Sequence, residues 1–114
     1  MSLPRVRLAC LPTPLHRLDR LSDNLNVDLW IKRDDLTGFA AGGNKGRKIE
    51  FLIADALQSG ADAVVCQGAK QSNFIRQLGA ACAMFGLECH AVVMRLPYYA
   101  AAGPAPSGHD SDNG

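Results

Sequence analysis

Apolar and polar side chains alternate along Val27-Asp28-Leu29-Trp30-Ile31-Lys32, the period of a half-buried strand. The period changes after Lys45. From there to Ser59 the apolar residues Ile49, Leu52, Ile53, Ala56 and Leu57 form one stripe at helical spacing, which predicts an amphipathic helix with Asn44 as N-cap and Gly60 as its stop. Ala63-Val64-Val65-Cys66 is a short continuous apolar run bounded by Asp62 and Gly68, the signature of a strand covered on both faces of a parallel sheet. Ile75, Leu78, Cys82 and Phe85 mark a second helix from about Ser72 to Phe85, closed by Gly86, and a further strand follows at Cys89 to Met94. Upstream, Leu11-Pro12-Thr13-Pro14 predicts an extended entry, and Leu18, Leu21 and Leu25 predict a short amphipathic helix between Arg17 and Asn26.

The order strand, helix, strand, helix, strand with short links predicts an α/β fold on a parallel sheet with right-handed crossovers. The loops at 36–44 and 67–72 would then leave the carboxyl ends of strands, where open α/β sheets place their ligands. Both run into helix N-termini, which favour a phosphorylated or carboxylated ligand. The first of them, TGFAAGG at 37–43, has three glycines and no periodicity, so it can take positive φ or bring backbone close to a ligand. It delivers Asn44 and Lys45.

Composition narrows the field. At 114 residues, 47% of them hydrophobic, the chain can bury one modest core. A net charge of +1 without a dense basic run argues against a nucleic-acid partner. No stretch reaches signal-peptide character or the roughly 18 apolar residues of a membrane span, so a cytoplasmic protein without a membrane partner is expected. Cys10, Cys66, Cys82 and Cys89 form no Cys-x-x-Cys pair and read as reduced core thiols. His16, His90 and His109 are scattered, and no metal site is expected. Gly38 and Gly43 have the glycine spacing of a nucleotide phosphate-binding loop, but Asn44 occupies the lysine position and no hydroxyl follows Lys45, which argues against one. By itself, a lysine at a helix start is a solvated charge, and Asn44, Ser72 and Asn73 are ordinary helix-start residues. Asp34 and Asp35 read as structural, Arg76 as a surface or ion-paired residue.

Three segments taken together change that reading of Lys45. IKRDDLTG at 31–38, GGNKGRKIEFLIADAL at 42–57 and GAKQSNFIRQLGAACAMFGLECHAVV at 68–93 closely resemble the D-cysteine desulfhydrase and 1-aminocyclopropane-1-carboxylate deaminase family, within the tryptophan-synthase-β-like (fold type II) class of pyridoxal-phosphate enzymes. The resemblance covers about residues 9 to 96. It implies a three-layer fold around a parallel sheet, incomplete in this chain, with 1–96 as the N-terminal part of the enzyme fold. It implies pyridoxal 5′-phosphate as cofactor, held by Lys45 as an internal aldimine, with Asn44 in the cofactor site and Asn73 hydrogen-bonded to the 3′ oxygen of the pyridine ring. Ser72 and Gln71 would meet a small amino-acid substrate, Ser72 also acting in catalysis. A neutral amine is needed for attack on an aldehyde, and neighbouring cations and a helix N-terminus favour that form. Once released, Lys45 would serve as the base that takes the substrate α-proton.

The activity so implied is α,β-elimination from D-cysteine to pyruvate, hydrogen sulfide and ammonia. Ring-opening deamination of 1-aminocyclopropane-1-carboxylate is the alternative, and a non-catalytic fragment the third reading. The resemblance further implies a homodimeric full-length parent about three times longer, with the phosphate cup in the part not present here. Relatives commonly carry histidine after the Gln-Ser-Asn turn, where this chain has Phe74. The stretch at 97–114, rich in Ala, Gly, Pro, Ser and Asp, reads as a flexible loop at a truncation.

Overall fold

The computed structural model describes residues 2–95; the expected flexible stretch at 97–114 lies outside them. β1 (Leu15–Arg17) leads into α1 (Asp19–Leu25) and β2 (Trp30–Lys32). Two short 3-10 turns, Asp34–Leu36 and Phe39–Ala41, carry the chain to α2 (Gly46–Gln58), followed by β3 (Ala63–Ala69), α3 (Asn73–Phe85) and β4 (Glu88–Met94).

β3 and β4 pair in parallel from Ala63↔Glu88 to Ala69↔Met94, with α3 as the crossover, as the apolar run and its flanking turns require. β3 continues through Gln67, Gly68 and Ala69, beyond the run that predicted it. Gly68 permits this continuation, because a Cβ there would lie 3.0 Å from Cδ1 of Ile75, so strand and helix approach more closely than any side chain would allow.

The expected first strand of that sheet is a correction. Val27 to Lys32 contributes only Trp30–Lys32, and these residues pair antiparallel with Leu15–Arg17 in a separate two-stranded ribbon. Val27 and Asp28 are used in leaving α1: Asn26 takes a left-handed conformation at φ 51°, the Val27 amide bonds to the Ser22 carbonyl, and Asp28 pairs with Arg17. Alternation with one wet face is the habit of antiparallel ribbons, whereas strands of a parallel sheet read as continuous apolar runs. Consequently the loop at 36–44 leaves this ribbon rather than a strand of the parallel sheet, while the turn after β3 does leave a parallel carboxyl end.

The core lies between α2, α3 and one face of β3–β4. Ile49, Ile53, Leu78, Ala81 and Cys82 are essentially inaccessible, with Val64, Cys66, Phe74 and Cys89 packed against them. β3 and β4 are not covered on both faces by the described residues: Val65 of β3 is 73% and Val92 of β4 58% exposed. Nor does α1 bury its leucines. Its buried residue is Ser22, whose hydroxyl bonds to the backbone of Leu29.

α2 begins differently from the expectation. Lys45 holds the N-cap position in right-handed conformation, with no side-chain cap, and Asn44 sits exposed in the preceding turn. A capping side chain needs the extended backbone that Ser72 has at the start of α3 (φ −66°, ψ 121°) and that Lys45 (φ −72°, ψ −23°) lacks. The other end is as expected: Gly60 is left-handed at φ 70°, and the Gly60 and Ala61 amides bond back to the Leu57 and Ala56 carbonyls, a Schellman closure.

The buried stripe of α2 is Ile49, Glu50, Ile53 and Ala54, rotated from the stripe of apolar letters, so that Leu52 and Leu57 are 47% and 40% exposed. Glu50 causes the rotation. Its carboxylate accepts from the Leu8 and Ala9 amides at 3.0 and 2.9 Å and pairs with Arg5 at 3.1 Å, fastening the N-terminal segment across the helix. Ile53→Ala should therefore cost about 2–5 kcal/mol in urea unfolding, whereas Leu52→Ala should change stability by no more than about 0.5 kcal/mol.

Candidate functional site

The loop from Thr37 to Gly43 departs from ordinary backbone at most of its residues. Gly38, Ala40, Ala41, Gly42 and Gly43 all have positive φ. At Gly42 glycine is compulsory, since a Cβ would lie 2.3 Å from the Asp35 carbonyl oxygen. Ala40 and Ala41, at φ 46° and 66°, have no such exemption and each costs about 1–2 kcal/mol. Such a conformation persists only where its surroundings over-determine it.

Those surroundings can be named. Thr37, fully buried, donates its hydroxyl to the Gly43 carbonyl at 2.8 Å and closes the loop, while its own carbonyl accepts from the Cys10 amide. The Gly42 amide bonds to the Phe39 carbonyl. From α3, the amide nitrogen of Gln77 donates to the Phe39 carbonyl at 3.0 Å and reaches the Gly43 carbonyl at 3.5 Å. Arg76 donates to the carbonyls of Ala40 and Gly42. The loop's carbonyls are thus collected by two consecutive side chains of α3.

This clamp brings the two predicted motifs together. A Cβ at Gly43 would lie 3.5 Å from Nδ2 of Asn73, and one at Gly46 3.7 Å from Nε2 of Gln77, so the start of α2 meets the first turns of α3. Lys45 is half-buried at the mouth of this junction, with Asn44 exposed beside it. Across it, the Ser72 amide closes the turn from Ala69, Gln71 is exposed in that turn, and the Ser72 hydroxyl accepts from the Ile75 amide at 3.4 Å. That cap uses an oxygen lone pair and leaves the hydroxyl proton available for donation. Phe74 does not face the junction. It packs on the core, so the aromatic residue at this position alters packing and not the polar lining.

Two residues that hold the site stand outside the predicted set: Gln77, and Arg76, expected as a surface or ion-paired residue, which is exposed but meets carbonyls rather than a carboxylate. Arg76 follows Asn73 by three positions and Ser72 by four, which puts all three on one side of a helix start. Gln77 precedes Leu78 and lies four residues before Ala81, on the buried side of α3, a place where a polar side chain signals a partner in need of a hydrogen bond. Its Oε1 is buried with no partner among the described residues.

The start of α2 is also fixed from behind. Arg47 forks onto Asp34 at 2.7 and 2.9 Å and donates to the Thr13 hydroxyl at 3.0 Å, which itself donates to Asp34 at 2.6 Å. Asp35 pairs with Arg33 at 2.7 Å. Both aspartates, expected to be structural, are thus engaged in ion pairs. Among the described residues no group of histidine, cysteine and carboxylate side chains could hold a metal, and no helix is long and apolar enough to cross a membrane. Burial pushes the Cys82 thiol up to about 11 and raises that of Cys66, with Cys89 contributing to both. Such thiols are poor nucleophiles.

Comparison with known proteins agrees with this geometry. A family model described as pyridoxal-phosphate dependent enzyme matches residues 6–100. D-cysteine desulfhydrases of Salmonella paratyphi B and Salmonella newport are 54% identical over 90 residues, covering 79% of this chain and 27% of each relative. A crystal structure described as an ACC deaminase homologue superposes with a TM-score of 0.76 at 44% identity, over 81% of this chain and 28% of that one. The expected fold class stands on that match, and the chain spans about a quarter of the length of the relatives it resembles.

The hydrogen bonds from Arg47 and then Thr13 hold the Asp34 carboxyl down at about 2, from 3.8. Because folding lowers this value, the stabilisation is present above 3.8 and is lost as the pH falls from there through about 2. In urea unfolding at a series of pH values, Asp34→Asn should be less stable than the wild type at neutral pH, and the difference should shrink across that acid window.

Proposed function

The chain belongs to the pyridoxal-phosphate dependent enzyme family, and from that membership we propose that it carries the lysine-bearing part of a cytoplasmic, homodimeric enzyme that converts D-cysteine to pyruvate, hydrogen sulfide and ammonia. The observation that carries this reading is the junction itself: a strained loop ending at Lys45 is bound by the first two turns of α3, which bear Ser72 and Asn73. The 54% identity to D-cysteine desulfhydrases favours this substrate. The likeness to the ACC deaminase homologue supports ring-opening deamination of 1-aminocyclopropane-1-carboxylate as the second reading.

The residues present fit pyridoxal 5′-phosphate. Lys45 supplies an amine at a helix start, where unpaired amides favour anionic groups. The Gly42-Gly43 backbone leaves clear the approach to the Asn73 amide that a side chain at 43 would fill. Asn73 accepts from Arg76 at its Oδ1, so the group it has left to offer is the N–H2, a donor suited to a ring oxyanion.

When bound, the cofactor supplies an electron sink for the carbanion left by removal of the substrate α-proton. For the chain's own part, Lys45 would hold the cofactor through Nζ, with Asn44 beside it, and the same nitrogen would serve as the base for the α-proton. Asn73 Nδ2 would donate to the 3′ oxygen of the ring and so orient it. The Ser72 hydroxyl, kept in place by its bond to the Ile75 amide, donates to the substrate, and Gln71 closes the small amino-acid site from the adjoining turn.

Addition of pyridoxal phosphate should give a visible absorbance band, and borohydride reduction should fix the cofactor to the wild type but not to Lys45→Ala, read by mass spectrometry. Equal retention by both proteins would refute the lysine assignment. Full-length enzyme should release sulfide from D-cysteine; turnover of 1-aminocyclopropane-1-carboxylate instead would establish the second reading.

A further inference from the structure

Arg76 is exposed on α3, yet its guanidinium is occupied. One terminal nitrogen donates to the Ala40 carbonyl; the other donates to the Gly42 carbonyl at 3.2 Å and to Asn73 Oδ1 at 2.9 Å. All three acceptors are neutral. No carboxylate pairs with Arg76 among the described residues, whereas Arg5, Arg17, Arg33 and Arg47 each have at least one. The charge beside Asn73 is therefore not cancelled locally.

Two consequences follow from these contacts. The Ala40 carbonyl belongs to one of two adjacent alanines in left-handed conformation, so the arginine holds the loop where its own backbone preference resists. The contact with Oδ1 decides which end of the Asn73 amide is free. Turned the other way, Asn73 would direct its Nδ2 at the guanidinium, donor against donor, and present a carbonyl to the site.

We propose that Arg76 is a positioning residue: it ties the lysine-bearing loop to α3 and locks Asn73 so that its N–H2 faces the cofactor's 3′ oxygen, with the positive charge strengthening that donor. The proposal rests on the cofactor reading above. A hydrogen-bonded cation behind an amide polarises it and makes its N–H a better donor to an anion. Lysine cannot replace this arginine in full, because an ammonium lacks the planar fork that serves carbonyls and amide oxygen together.

The test uses the full-length protein, with and without pyridoxal phosphate. Without cofactor, Arg76→Ala should speed hydrogen exchange at the Gly42 amide, which bonds to the Phe39 carbonyl, by about tenfold or more, with Arg76→Lys intermediate. With cofactor, loss of the polarised donor should raise the pH midpoint of the visible band of the lysine-bound cofactor. In an Asn73→Ala background, Arg76→Ala should add little further shift, since the arginine acts through that side chain. A visible band with an unchanged midpoint in Arg76→Ala, or an equal shift in both backgrounds, overturns the role assigned to Arg76. A wild type with no band overturns the cofactor reading and the proposal with it. Arg76→Gln, which keeps a planar donor without charge, separates the two contributions: restored exchange protection with a raised midpoint is expected, and a wild-type midpoint would refute the part given to charge.

Discussion

A backbone that takes positive φ at five positions between Gly38 and Gly43 makes no regular ladder of its own, and every carbonyl it turns inward needs a donor from elsewhere. In this chain the donors come from Thr37, Arg76 and Gln77. The last two stand side by side on α3, so satisfying the loop and docking α3 against α2 are one event. The position of Lys45 follows from both. It is the residue at which the loop becomes α2, and the helix direction is set by Ile49 and Ile53 packing on Leu78 and Ala81, and by Arg47 forked onto Asp34.

Rigidity at one end of α2 and coverage along its flank come from different residues. The Glu50 carboxylate is 1% exposed and would be costly to bury alone, but two backbone amides and Arg5 share its charge. The consequence is a polar buried stripe position in a helix whose apolar letters point to a neighbouring face. Beyond α3, the outer face of β3–β4 keeps Val65 and Val92 open, the appearance of a parallel sheet with only one of its helical layers in place.

Much of this was legible in the residues, for identifiable reasons. α2, α3 and β4 lie within a residue or two of where periodicity and the stops at Gly60 and Gly86 put them, because those signals are local. Ser72 was legible as a helix-start residue for the same reason, and the structure makes it the cap of α3. β2 was misplaced because alternation states that one face is buried and is silent about the partner strand, which here is Leu15–Arg17. The burial of Glu50 and Gln77 was not legible from pattern, since each depends on a segment about forty positions away supplying the opposite hydrogen-bonding group. Lys45 carried no signal of its own; the GGNK and QSN motifs did, and the fold brings those two segments into contact.

The same asymmetry explains why Arg76 escaped a reading by residue type. An exposed arginine in a helix is, as a rule, a solvated charge with a surface carboxylate for company, and four other arginines of this chain, wherever they lie, do meet carboxylates. What sets Arg76 apart is the kind of acceptor it meets. Carboxylate partners would neutralise it and leave a local tether; two loop carbonyls and an amide oxygen leave the charge intact and convert it into geometry. With Thr37 and Gln77 securing the rest of the loop, the same planar cation that meets the carbonyl of a left-handed alanine also presents one face of Asn73, one helical turn before it.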